Sequence, residues 1–397
     1  MQAKLLLALS AAASLCSTSA CTEPAPPIES PDGLPPSNDI PLLAGGNHLA
    51  TVVGFNATHP MTTAAAIDAR WREALSKGMR IGRVQVDWVD LEPQPGVYAK
   101  EILKEQLANL SKDNLAPYLS VIGFENEELG VPPDLATRLA SGEIRYNSPE
   151  FIARYSQLME WVVPMLLEHN GWVIALGNEP ANFIEILQTA EARTKLTNEI
   201  LEFVAAIRTK IKSIEPKLAV TVTVSEGRSP AELADAIDLE TPFIAAGDVA
   251  TYNFYGARFD EGANYIDDSD PDRARSRIDA MIQKAAGRPI VLQEVGAQAG
   301  PDRGVSLVGS TLETQKRFFE AVFAELRRRP EFRAAYVFQL VDWDPQLVKE
   351  VYSDPFRAEE IPEGFIGQWA ESLETVGLIR YSDGSPRPAW TTFIEAL

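Results

Sequence analysis

The sequence is poor in the side chains that bind metals or carry redox chemistry. Its 397 residues include only two cysteines, Cys16 and Cys21, and three histidines, His48, His59 and His169. Zinc sites are built from about three or four His, Cys or carboxylate ligands, and the histidines here are scattered. No cysteine follows Cys21, so a disulfide in the folded part is excluded. We therefore expect no metal and no cofactor, and a chemistry that depends on carboxylates and aromatic rings.

Positive charge is scarce as well. Lys and Arg total 36 against 56 Asp and Glu, which gives a formal net charge of -20. An acidic surface repels the phosphates of nucleic acids and anionic lipid headgroups. We therefore expect no nucleic-acid partner. The remaining composition, with 45% hydrophobic and 23% charged residues, is typical of a globular protein.

Long apolar runs are missing except at the N-terminus. Residues 1–20 combine Lys4, an apolar run and small residues before Cys21. The run has about a dozen residues, whereas a membrane span needs about 20. This pattern predicts a signal peptide over residues 1–20, and hence export.

The segment around Cys21 predicts how the exported chain is anchored. Thr18-Ser19-Ala20-Cys21 resembles a bacterial lipobox, in which the cysteine receives lipid. The alternative is a signal peptide cut after Ala20 without lipidation. Residues 21–43 are rich in Pro, Ser and Asp, which favours an extended tether. We expect the protein at the cell envelope or secreted, touching a membrane only through this anchor.

In residues 44–397, strand-like runs alternate with helix-like stretches, as they do in a barrel. Short β-branched runs alternate with longer stretches that have apolar residues at three and four spacing, the pattern of βαβ units on a parallel sheet. Eight such units predict a (β/α)8 barrel with its active site at the carboxyl ends of the strands. Division into two domains is the weaker alternative, and we expect a monomer. The predicted strands begin at Thr51, Ile81, Ala116, Gly171, Leu218, Asp248, Pro289 and Ala334.

Two of the predicted strands end in a glutamate. Strand 4 ends in Gly177-Asn178-Glu179-Pro180 and strand 7 in Gln293-Glu294. Around strand 2 the chain reads RVQVDWVDLEPQPGVY, and strand 8 is predicted to end in Val341-Asp342-Trp343. Over nearly the whole chain after residue 45, the sequence resembles the clan of (β/α)8 glycoside hydrolases, cellulases and mannanases among them, with catalytic glutamates at strands 4 and 7.

The resemblance implies a retaining mechanism on a β-linked oligosaccharide or polysaccharide. Glu179 is then the general acid/base and Glu294 the nucleophile, and such a pair can cleave a glycosidic bond without a cofactor. Asn178 is expected to bind the sugar hydroxyl beside the reacting carbon. Tyr255, or its neighbour Tyr252, is expected to hold Glu294.

Further candidates surround this pair. Arg83 on strand 2 is expected to stabilise the charge of Glu294. Trp343 and Trp88 are expected to stack on sugar rings, and Glu125, after strand 3, to accept hydrogen bonds from sugar hydroxyls. The long segment 344–385 is expected to cover part of the barrel mouth.

Several alternatives remain open on the sequence. The two glutamates could simply cap helix N-termini, where acidic side chains are favoured. The chain could be a carbohydrate-binding lipoprotein on an inactive barrel, although both glutamates are present. A transglycosylase would use the same pair, with a sugar instead of water attacking the intermediate. A metal-dependent hydrolase fits poorly with three scattered histidines.

Overall fold

The computed structural model describes most of the chain after residue 47. The predicted signal peptide 1–20, the predicted tether 21–43 with Cys21, and Glu125 lie outside the described residues. The described residues are 48–51, 64–124, 130–185, 187, 189–226, 239–259, 265–267, 269–301, 305–359 and 361–397.

Eight parallel strands form the centre of the structure. From β3 to β8 each strand pairs with the one before it in the chain, and β1 pairs with β8. The first two strands also lie side by side, so the barrel is nearly closed. This confirms the predicted (β/α)8 barrel. The strands are β1 His48–Thr51, β2 Ile81–Asp87, β3 Ala116–Ile122, β4 Val173–Asn178, β5 Ala219–Ser225, β6 Ala250–Tyr255, β7 Ile290–Gly296 and β8 Phe332–Val337.

Helices separate the strands and cover the outside of the barrel. Among the described residues, no helix combines the length and apolar character needed to cross a bilayer. A π-helical turn covers Lys349–Ser353, and a two-stranded hairpin pairs Ala257–Phe259 with Tyr265–Asp267. The α-helices are α1 Ala64–Lys77, α2 Trp88–Leu91, α3 Lys100–Lys112, α4 Pro133–Ala140, α5 Pro149–Glu168, α6 Pro180–Glu185, α7 Ala190–Ile214, α8 Glu240–Ala246, α9 Pro271–Ala285, α10 Leu312–Arg328, α11 Pro345–Val348, α12 Asp354–Ala358, α13 Glu363–Glu374 and α14 Pro388–Ala396.

The core lies between the strands and these helices, and inside the barrel. Strands β3 and β7 are buried along their whole length, as expected for parallel strands covered on both faces. The helices bury one stripe each. In α5 the buried positions include Phe151, Tyr155, Leu158 and Val162, a three and four spacing that fits the helical repeat.

The last strand ends earlier than the sequence suggested. Strand β8 stops at Val337, six residues before Trp343, so the prediction that it ends in Val341-Asp342-Trp343 is wrong. The reason is a change of partner. Val341 forms a bridge with Ile379, and the N–H of Asp342 donates to the Ile379 carbonyl, so the chain pairs with the C-terminal segment here instead of the barrel.

Residues 343–359 and 361–376 form a small substructure, the C-terminal cap, with its own core. Its buried side chains include Trp343, Tyr352, Phe356 and Phe365. The cap lies against the carboxyl end of β7, because Ala299 donates to the Thr375 carbonyl at 2.9 Å. A Cβ added to Gly296 would lie 2.7 Å from the Tyr255 ring and 3.3 Å from Val376, so glycine permits this close approach.

Candidate active site

Glu294 lies at the carboxyl end of β7 between a cation and a phenol. Arg83 of β2 places Nη2 2.8 Å from Glu294 Oε1, and the hydroxyl of Tyr255 donates to Oε2 at 2.5 Å. The side chains of Arg83 and Glu294 are only 6% and 10% exposed. In such surroundings an ion pair is screened little by solvent. The two contacts therefore stabilise a negative charge on Glu294.

Tyr255 is held as a hydrogen-bond donor. Burial raises the pKa of its phenol well above the ordinary value of 10.0, and the negative charge of Glu294 raises it further. The hydroxyl therefore keeps its proton at neutral pH and donates a hydrogen bond to the carboxylate. Tyr252, the alternative, donates to the Met281 carbonyl of helix α9 at 3.1 Å. It points to the outer layer of the barrel, so the structure selects Tyr255.

Glu179 follows the last residue of β4 in an unusual backbone conformation. Its φ is +46°, in the left-handed region that non-glycine residues rarely occupy. Its N–H donates to the Thr223 carbonyl of β5 at 2.8 Å, which fixes the turn. Strained backbone of this kind persists where the surroundings determine it fully, and it is concentrated at functional sites.

The carboxylate of Glu179 contacts side-chain amides. Asn253 of β6 donates through Nδ2 to Oε1 at 2.8 Å, and Asn182 of α6 donates through Nδ2 to Oε2 at 2.8 Å. Asn253 and Tyr255 are two residues apart on one strand and therefore point to the same face. In this way β6 contacts Glu179 with one side chain and Glu294 with the other.

A buried layer of polar side chains lies beneath both glutamates. Asn178 Oδ1 accepts from Gln293 Nε2 at 3.1 Å and from Asn253 Nδ2 at 3.2 Å. Gln293 is fully buried, and its own Oε1 accepts from three hydroxyls. Hydrogen-bonded networks of this kind fix side-chain rotamers. The donors to Gln293 are Tyr118 at 2.8 Å, Ser120 at 3.0 Å and Thr223 at 2.6 Å.

Two carboxylates thus lie at the carboxyl ends of β4 and β7 in different electrostatic surroundings. Glu294 is paired with a guanidinium, whereas Glu179 is held by neutral amides. Carboxylates in such contrasting environments can take the two roles of acid and anion in one reaction.

Comparisons with known proteins identify the fold. No protein-family model and no curated protein matches the chain. Solved structures do match. The chain is similar to a β-glucosidase, "beta-glucosidase 1317", with 18% identity and a TM-score of 0.54, over 84% of this chain and 88% of the other. The likeness shows the fold that this chain shares with the β-glucosidase, a (β/α)8 barrel.

Two further structures share this fold. A GH5_18 protein from Streptomyces cattleya, in complex with Manβ1-4GlcNAc, matches with 16% identity and a TM-score of 0.58 over 88% of this chain and 80% of its own. The exo-β-1,4-mannosidase Op5Man5 from Opitutaceae bacterium strain TAV5 matches with 17% identity and a TM-score of 0.55 over 88% of this chain and 58% of its own.

The structure brings together five of the predicted site residues. Glu179, Glu294, Asn178, Arg83 and Tyr255 are joined through the contacts described above. Among the described residues, no group of three or more His, Cys, Asp or Glu side chains is arranged to hold a metal ion.

Trp88 does not belong to this set, and the prediction that it stacks on sugar is wrong. Its side chain is fully buried, and its ring packs edge-on against Phe151 and Tyr155 of helix α5. Its Nε1 donates to Glu92 at 2.7 Å. Because β2 ends at Asp87 and a helical turn begins at Trp88, the ring points to the outer layer.

Trp343 is buried as well, so the prediction that it stacks on a sugar ring is also wrong. It is 3% exposed inside the C-terminal cap, with its ring 5.7 Å from that of Tyr352. The half-buried aromatic at the end of β8 is Phe338, whose ring lies 5.5 Å from that of Tyr255. The sequence analysis did not identify Phe338. The available signal was alternation, because Phe338 lies two residues after Tyr336, whose ring contacts that of Tyr118.

Three further carboxylates that follow strands in the chain are held by structural partners. Glu226 after β5 pairs with Arg277, and Asp342 forms a buried ion pair with Arg387 at 2.5 Å. Glu92 accepts from the backbone of Gly96 and so shapes the turn that follows α2. These contacts favour structural roles for all three carboxylates.

Proposed function

We propose that the protein is a retaining glycoside hydrolase that cleaves β-linked oligosaccharides or polysaccharides. The observation that carries the proposal is the pair of strand-end glutamates, one beside a guanidinium and a phenol and the other held by amides. The fold supports it, because similar structures bear the names of a β-glucosidase and an exo-β-1,4-mannosidase.

The first step forms a glycosyl-enzyme intermediate. A carboxylate oxygen of Glu294 attacks the anomeric carbon while the bond to the leaving oxygen breaks, and that oxygen takes the proton of Glu179. Arg83 and Tyr255 aim the attacking carboxylate. Proton donation is needed because an alkoxide is a poor leaving group.

The second step releases the sugar. Glu179, now ionised, takes a proton from water as the water oxygen bonds to the anomeric carbon and the bond to Glu294 breaks. Two inversions give net retention of configuration. In enzymes of this kind the two carboxyl groups lie about 5 Å apart.

Two further residues are assigned to the sugar. Asn178 directly precedes Glu179, and its side-chain oxygen is fixed by Gln293 and Asn253. We assign it to the hydroxyl beside the reacting carbon, where a contact strengthens in the transition state. The ring of Phe338, at the end of β8, offers an apolar face for the sugar ring.

We also propose that the enzyme acts outside the cytoplasm. The support is the signal-like segment 1–20, the lipobox-like Thr18-Ser19-Ala20-Cys21 and the Pro-rich run 21–43. Cys21→Ser should abolish lipid incorporation and move the protein out of the membrane fraction. A wild-type protein that incorporates no labelled fatty acid would contradict the anchor.

The reaction class is tested with purified protein and a substrate panel. Aryl β-glucosides, aryl β-mannosides and β-linked glucan and mannan oligosaccharides are assayed for cleavage, and NMR follows the anomer released. We expect retention, and loss of more than about a thousandfold in activity for Glu294→Gln. Glu105→Gln, an exposed change on α3, serves as the matched control.

Three outcomes would overturn the proposal. The first is an inverted product, and the second is full activity in Glu294→Gln. The third is a saccharide that binds equally to wild type and Glu294→Gln without being cleaved, which would make the protein a carbohydrate-binding barrel.

A further inference from the structure

The carboxylate of Glu179 accepts hydrogen bonds from two different elements. Asn182 on α6 donates to one oxygen and Asn253 on β6 to the other, each at 2.8 Å. Donors on both oxygens fix the position of the carboxylate and its rotation about the last side-chain bond. A single contact would leave that rotation open.

Each amide is itself anchored. Asn253 is 3% exposed and also donates to Asn178 Oδ1. Asn182 is half-buried on the first turn of α6, where its N–H donates to the Glu179 carbonyl at 3.1 Å. Its side-chain oxygen accepts from Ser225 of β5 at 3.5 Å. The oxygen of the Asn182 amide thus faces Ser225, which leaves the NH2 group directed at Glu179.

Several charged or titratable groups surround this site. Glu179, Glu294 of β7 and Arg83 of β2 all interact electrostatically with the phenol of Tyr255, so one further negative charge and one positive charge lie near Glu179. Tyr255 of β6 is a protonated phenol, as argued above. Glu226, after β5, is paired with Arg277 of α9.

We propose that Asn182 and Asn253 form an amide clamp that orients Glu179 and favours its ionised form, and that the clamp sets the pH range in which this residue serves as both acid and base. The inference rests on the proposed function. Negative charges nearby, Glu294 above all, favour protonation of Glu179. Hydrogen bonds donated to the carboxylate act in the opposite direction. The balance allows Glu179 to give up a proton in one step and take one in the next.

The clamp is tested through Asn182, because Asn253 lies in the buried network and its variants could misfold. Asn182→Ala removes one donor, and Asn182→Asp replaces it with a like charge of the same shape. The high-pH limb of kcat/KM reports loss of the proton from the catalytic acid. We expect it to move up by about half to one pH unit in Asn182→Ala and further in Asn182→Asp. Asn109→Asp, an exposed change on α3, controls for the added charge.

Leaving-group dependence gives a second readout. A dinitrophenyl glycoside needs little help from the acid, whereas an alkyl glycoside needs it fully. Misplacement of the acid in Asn182→Ala should therefore lower kcat/KM by at least about tenfold more for the alkyl glycoside. A general loss of structure would lower both substrates alike.

The outcomes separate the clamp from the proposed function. If wild type cleaves no substrate, or Glu179→Gln keeps full activity on alkyl glycosides, the proposed function fails. If activity depends on Glu179 but the high-pH limb stays in place in both Asn182 variants, the clamp is refuted. Refutation also follows if Asn109→Asp moves the limb as far as Asn182→Asp.

Discussion

Glu374, the last residue of α13 in the C-terminal cap, makes stability depend on pH. Burial, together with the negative charges of Asp342, Glu371 and Asp344, raises the pKa of its carboxyl from the ordinary 4.5 to about 7. A carboxylate at a helix C-terminus is also disfavoured by the helix dipole. The folded protein therefore binds a proton here that the unfolded chain releases.

The sign and size of the effect follow from linkage. Because the folded pKa is raised, stability falls as the pH rises from about 4.5 to about 7, and the loss is complete above that. One pKa unit corresponds to about 1.4 kcal/mol, so full ionisation would cost about 3 kcal/mol. Glu374 is partly exposed and its charge is partly screened. We expect Glu374→Gln to stabilise the fold by about 1–2 kcal/mol at pH 8 and by nearly nothing at pH 4.5.

The assay is urea denaturation of wild type and Glu374→Gln at pH 4.5, 6 and 8. Glu105→Gln on the exposed face of α3 is the control for loss of one charge. An equal effect at all three pH values would refute the reasoning, because a gain that ignores pH cannot come from ionisation. A loss of stability at pH 8 would show that the carboxylate is favourably paired.

Four further predictions concern aromatic side chains. Tyr255→Phe should lower kcat by about 10- to 100-fold with little change in KM, because it removes a charged hydrogen bond of about 1.5–3 kcal/mol to Glu294; steady-state kinetics measure this, and an unchanged kcat would contradict it. Phe338→Ala should raise KM by about tenfold. Trp343→Ala should instead lower the free energy of unfolding by about 3 kcal/mol or more and leave KM unchanged. Trp88→Phe should destabilise the fold by about 1–3 kcal/mol, because it strips a donor from a buried carboxylate, with kcat/KM of the folded protein unchanged. If a Trp88 variant lost substrate affinity but kept full stability, Trp88 would have to belong to the site.

The sequence was sufficient to predict the barrel and its two strand-end glutamates. Strands buried on both faces give β-branched runs of five to seven residues, and the spacing between them leaves room for crossover helices. The carboxyl ends of parallel strands meet at one rim, so glutamates at the ends of β4 and β7 had to lie near one another. The structure adds which side chains contact each of them.

The two tryptophan predictions failed because the pattern of a strand does not set the direction of side chains beyond its end. Trp88 and Trp343 follow strands, and the direction of a side chain there depends on where the backbone turns next. At Trp88 the chain enters a helical turn, and before Trp343 it has already left β8 to pair with Ile379. Alternation inside a strand was the reliable signal. It was available for Asn253, two residues before Tyr255, and for Phe338, two residues after Tyr336.

At Glu179 the left-handed backbone makes the residue type that favours stability different from the one that the proposed activity requires. At φ +46° a glycine or an asparagine would relieve strain that glutamate bears. Selection for stability alone would therefore replace this residue, whereas under the proposed function selection for turnover retains it. Glu179→Gly would then be the more heat-resistant form of the protein and, under the proposed mechanism, the one that has lost its acid, a suitable starting point for capturing an uncleaved saccharide in the barrel.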